Sequence, residues 1–136
     1  MRYLLLAAVL LCTPTIAQAS TLFEEIGGKD MMVKLAGNLV DRMAKDPQIG
    51  HLFDETDLPR LKIKIAEQFS HVAGDPTPYK MANIHNAHSD FEIRVADFNR
   101  LVELLQLAMD DNDIPFATQN RLLAVLAPME RQIVNH

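Results

Sequence analysis

Past residue 19 the sequence has no cysteine; the single one among 136 residues is Cys12. Disulfides, thiolate chemistry and the Cys-x-x-Cys-His motif that attaches c-type haem are thereby excluded from the rest of the chain. Basic residues are also few. With Arg2 set aside, 12 Lys and Arg face 18 Asp and Glu, a formal charge of −6, and the charges are scattered. An acidic chain without a basic stripe is a poor nucleic-acid binder, so the charges read as solubility. Long apolar runs are missing too. "YLLLAAVLLC" (residues 3–12) is too short to cross a bilayer. No stretch sustains the period-two alternation of a half-buried strand.

That short apolar run follows a positive residue, Arg2, and precedes small ones, Ala17 and Ala19. This is the order of a secretory signal, expected to be cut after Ala19. Leu11 stands where a lipidation signal at Cys12 carries a small residue, which favours simple cleavage. Residues 20–136, 117 in all, suit one domain with a real core. The expectation is an exported monomer with no membrane attachment after cleavage, periplasmic in a Gram-negative source.

Helical signals dominate this remainder, without repeats or low-complexity tracts. Thr21 with Glu24 forms a capping box for a short helix ending at Gly27-Gly28. A second helix is predicted from about Asp30 to Lys45, with Met32, Leu35, Leu39 and Met43 inward and Pro47 beyond its end. Asp57 and Pro59 open a third, with Leu58, Leu61, Ile65, Phe69 and Val72 inward. "GDPTPY" reads as a loop, followed by a helical turn up to His88. Val95, Phe98, Leu101, Leu105 and Ala108 line a long helix ending at "DDND". Pro115 opens the last, with Leu122, Leu126, Met129 and Ile133 inward. The fold class is all-α: two pairs of long helices with a looser segment between them, and such a segment in a small domain tends to be functional.

His85 and His88 lie in that segment. They read as a metal pair, as one ligand with a bystander, or as two ordinary surface histidines. A di-iron bundle needs Glu-x-x-His on facing helices, but Glu67 and His71 stand four apart. Zinc would need a third ligand, for which Asp90 and His51 are the outside candidates. No Ser, Cys or Thr stands in an activating context for nucleophilic catalysis.

Five segments, "LFEEIGGKD", "DPQIGHLFDETDLPRLK", "PTPY", "AHSDFEIRVADF" and "IPFATQNRLLAVLAPM", occur in this order. Together they resemble the group I truncated haemoglobins over essentially everything after the leader. The resemblance implies helices packed two-over-two around haem b, with the Ala-His element placing His88 as the proximal iron ligand. His85 becomes a flanking or propionate-edge residue, and His51, His71 and His136 are expected to be solvated. Phe53 matches the phenylalanine lying flat on the porphyrin. Phe69, Ile84, Ile93 and Phe98 would supply further walls, and Tyr79 matches a tyrosine near a propionate.

The departures from the family pattern concern the distal side. Val40 stands where the family places a tyrosine over the iron, and Ile65 where it offers a glutamine. With Leu61 also distal, none of the three donates a hydrogen bond. Asp75 and Met81 replace two glycines of the proximal loop, which is then expected to be stiffer or differently placed. Lys64 has two readings: a snorkelling lysine whose ammonium meets a propionate, or a sixth iron ligand. Lys64 and Gln68 are the donors left to reach a bound gas. The implied function is binding of diatomic gases (dioxygen weakly, carbon monoxide, nitric oxide) or haem redox chemistry with a redox partner. Its rivals are a haem enzyme that scavenges nitric oxide or acts on peroxide, and a haem-free helical metal-binding module using His85 and His88.

Overall fold

The capping box announced by the sequence starts the first helix, α1 (Leu22–Ile26): the Glu24 N–H donates to Thr21 Oγ1 at 3.2 Å, and the Thr21 N–H to Glu24 Oε2 at 2.9 Å. The structure, a computed structural model, describes residues 19–136, so the expected export signal lies outside them except for Ala19. Gly27 and Gly28 turn the chain with φ of 123° and 70°. A Cβ on Gly27 would lie 2.9 Å from Met31 Cβ, so this corner takes only glycine. α2 (Gly28–Lys45) follows directly, two residues ahead of the expected start, and buries Met32, Leu35, Leu39 and Met43 as expected, together with Ala36 and Val40.

After a 3-10 turn at Gly50–Phe53 come α3 (Leu58–Val72), α4 (Ile84–His88), α5 (Val95–Asp111) and α6 (Phe116–Leu126). A second 3-10 turn, Ala127–Met129, leads into α7 (Glu130–Ile133), and no strand occurs among the described residues. α2 packs on both α3 and α5, and α5 on α6, which joins the two long pairs. One core cluster draws on α1, α2, α3, α5 and α6, with Phe53 and Ile65 packed at its edge.

Three helix faces differ from the sequence reading. On α3 the buried residues are Ala66, Phe69 and Ser70, while Leu58, Leu61, Ile65 and Val72 are half-buried. Val95 is exposed because it is the first residue of α5; the buried row there is Asp97, Leu104, Leu105, Ala108 and Met109. The last helix is not continuous. Pro128 has no N–H for the carbonyl one turn back and its ring crowds that turn, so α6 gives way to the 3-10 turn and only Leu122 of the expected row is buried.

Asp46, just past α2, fixes the approach to Phe53. Its Oδ1 accepts from the N–H groups of Gln48 (3.0 Å) and Ile49 (3.1 Å), and its Oδ2 from Arg100 Nε (2.9 Å) and Nη2 (2.8 Å) on α5. The Arg100 hydrogen bonds hold this buried carboxyl below the ordinary range, against a desolvation that pushes it up. Asp97, also buried, is lowered first by the Arg94 N–H that it accepts at 3.0 Å where α5 begins. Depressed carboxyls stabilise the fold above their unfolded pKa of about 3.9 and lose that contribution as the pH falls through the lower folded value. Asp46→Asn is therefore expected to be less stable than the parent at neutral pH and to lose less of its stability below about pH 4. Acid-unfolding curves followed by circular dichroism check this; a constant offset between the two at every pH would contradict it.

Candidate functional site

The two histidines sit on α4, a helix of five residues. Asn83 caps it, accepting from the Asn86 N–H at 3.0 Å, and the buried Ile84 anchors its first position. His88 is its last residue and is half-buried; His85 is exposed. His88 Nδ1 lies 2.7 Å from the carbonyl oxygen of Ile84, one turn back. A carbonyl only accepts, so Nδ1 carries the proton, and the lone pair on Nε2 is left for a metal. Nothing comparable holds His85.

Side chains expected around a haem come from several elements. Val40 on α2 is fully buried, at 0% exposure. Phe69, Ile84 and Ile93 are also buried, while Phe53, Leu61, Ile65 and Phe98 are half-buried. Tyr79 is half-buried with its ring tilted against the half-buried His71, centroids 5.0 Å apart. Lys64 is exposed and pairs with Glu67 at 3.0 Å, one turn along α3. Asp75, in place of a glycine, has no positive φ; its Oδ1 accepts from the Thr77 N–H at 2.9 Å, an Asx turn. That bond holds its carboxyl below the ordinary range.

Two further polar side chains bear on the site, of which only Gln68 is singled out by the sequence. Gln68 is half-buried on α3 and its Nε2 donates to Met129 Sδ at 3.3 Å. A thioether is a weak acceptor, so this donor is loosely held. Asn135, beyond α7, bonds to the backbone on both sides of the loop that follows His88. Among the described residues no three His, Cys, Asp or Glu side chains gather into a metal site, so neither Asp90 nor His51 adds a third ligand to His85 and His88. Nor is any described helix long and apolar enough to cross a membrane.

A half-buried imidazole oriented through Nδ1, with Nε2 free and no cluster of three metal-binding side chains among the described residues, fits haem iron better than a bare metal ion. Relatives agree. A group 1 truncated hemoglobin of Mycolicibacterium paratuberculosis is 27% identical over 117 residues, 86% of each chain. The truncated hemoglobin of Tetrahymena pyriformis in its Fe(III) form superposes with a TM-score of 0.81 at 20% identity, covering 86% of this chain and all of that one. The 2/2 hemoglobin of a Synechococcus species, solved in the cyanomet state with covalently attached heme, gives 0.80 at 15% identity, again over 86% of this chain and all of that one. These structural likenesses carry the fold, which is the two-over-two helical arrangement. A family model described as bacterial-like globin matches residues 21–135. The chain thus belongs to the bacterial-like globins, a family of haem b proteins that bind diatomic gases.

Proposed function

We propose that His88 Nε2 is the proximal ligand of this globin's haem, and that the protein binds carbon monoxide and nitric oxide, dioxygen only weakly, or passes electrons to a redox partner. The observation that carries this reading is the 2.7 Å approach of Nδ1 to the Ile84 carbonyl, which supports a protonated Nδ1 and a free Nε2. Haem supplies the iron that takes the gas; the chain supplies the axial base, an apolar surround from Phe53, Phe69, Ile84, Ile93 and Phe98, and a distal side of Val40, Leu61 and Ile65. Apolar distal residues favour gas binding over peroxide or nitric oxide turnover, both of which use distal donors or acid–base groups. For Lys64 the propionate-edge reading is preferred over iron ligation, because its ammonium is exposed and paired with Glu67 and would have to leave that partner to reach iron. Titrating the purified protein with haem tests the reading: the visible spectrum should saturate at one haem per chain with bands distinct from free haem. Unsaturable binding with a free-haem spectrum would overturn it.

We also propose export, with the working protein starting at Ser20 as a monomer. The support is the order of charge, apolar run and small residues before it. Mass spectrometry of protein from its native source should show the loss of residues 1–19; a chain retaining Met1 would remove this assignment.

A further inference from the structure

The loop that leaves His88 is closed from far along the chain. Past α7 the backbone becomes extended at Val134 (φ −73°, ψ 129°), which brings Asn135 back across residues 89–92. The Asn135 side chain uses both ends of its amide: Nδ2 donates to the His88 carbonyl at 3.0 Å and Oδ1 accepts from the Ile93 N–H at 3.0 Å. The carbonyl can only accept and the N–H can only donate, so the amide has one orientation. The N–H groups of Asn135 and His136 add bonds to the Ile93 carbonyl at 3.0 and 3.2 Å.

The His88 carbonyl is among those that a helix end leaves without an intrahelical partner. Among the described residues it accepts, besides Asn135, from the Phe91 N–H at 3.1 Å. Five residues are too few to sustain a helix alone, so the last residue of α4 has to be fixed from outside. His88 is in fact held twice, at its ring by Ile84 and at its main chain by Asn135.

We infer that Asn135 is a positioning residue for the proximal histidine: it grips the His88 carbonyl and the far end of the following loop, and so fixes the backbone from which the imidazole is presented to iron. This rests on His88 being the iron ligand. Asn135→Asp separates the two grips. It keeps an acceptor for the Ile93 N–H but turns a carboxylate oxygen toward the His88 carbonyl, so only the hold on His88 is lost. Asn135→Ala loses both.

Haem-loaded parent and variants are compared by three measurements. The iron–histidine stretching band of the ferrous protein in resonance Raman should fall and broaden in both variants. Haem transfer to excess apomyoglobin should quicken about tenfold, at the lower end of what loss of an outer-shell partner costs. Amide hydrogen exchange at Ile93 should lose protection in Asn135→Ala and keep it in Asn135→Asp. If Asn135→Ala does not fold, Asn135→Asp carries the test alone. An unchanged band and transfer rate in Asn135→Asp would overturn the inference, leaving Asn135 as a loop tie only. A His88→Gly control that keeps the parent's haem spectrum would instead bring down the axial assignment, a separate result.

Discussion

His88→Gly is expected to lose its haem, and to regain a haem spectrum when imidazole is supplied in solution. Among the described histidines, His88 is the one whose Nε2 is freed by a hydrogen bond on its other nitrogen, and the substitution removes it. Loss of an outer-shell partner costs roughly 10- to 100-fold in metal affinity, and loss of the ligand itself should exceed that. Imidazole can substitute because the apolar walls remain and glycine leaves room for the ring. His85→Ala, on the exposed side of the same short helix, should change haem affinity little. Haem titration of the three proteins by absorbance checks this. Equal losses from both substitutions would mean that the two histidines act as a pair, and the proximal assignment would fail.

What the sequence disclosed here was mostly local. The Thr21–Glu24 box, the double glycine, and Asp57 ahead of Pro59 are each satisfied within a few residues, and each marks a helix boundary in the structure. Burial on α3 was harder to read. Periodicity identifies the apolar face of a helix, but which residues on it close against protein depends on the neighbouring helix. Thus Ala66 and Ser70 are buried while Leu61 and Ile65 are only half so. The break at Pro128 did have a local signal, the missing N–H, which the continuing apolar spacing through Met129 and Ile133 masked. At the site, the Ala-His element pointed to His88 through family resemblance, whereas its tautomer came from a carbonyl one turn back. Asn135 had no sequence signal at all. It reaches His88 across 47 residues and Ile93 across 42, separations at which no spacing rule operates. Asp46 is similar: an Asp before Pro suggests a turn, but its pairing with Arg100 spans 54 residues.

The dioxygen complex should be weak and short-lived with Val40, Leu61 and Ile65 as the distal side. Bound dioxygen carries partial negative charge, and a hydrogen bond to a charged acceptor contributes about 1.5–3 kcal/mol, which is roughly ten- to a hundredfold in affinity. Val40, Leu61 and Ile65 donate none. Carbon monoxide, less polar when bound, should be held well. Val40→Tyr with Ile65→Gln is expected to slow dioxygen release by about ten- to a hundredfold, measured by stopped-flow displacement with carbon monoxide. Val40 is fully buried on α2, so a tyrosine there has to displace its neighbours, and overpacking of this kind costs about 1–3 kcal/mol. Ile65 is half-buried, so Ile65→Gln alone gives the cleaner arm, with release slowed by about tenfold, the lower end for one such hydrogen bond. Lys64→Ala separates the two readings of that lysine. Lys64 now meets Glu67 on the surface, and to ligate iron it would have to give up that partner and its proton; the spectrum should therefore not change coordination in the variant. A change from six- to five-coordinate would establish ligation. Slow dioxygen release from the parent would refute the apolar distal side, and Gln68, held only by a thioether, would be the donor to test next by Gln68→Leu.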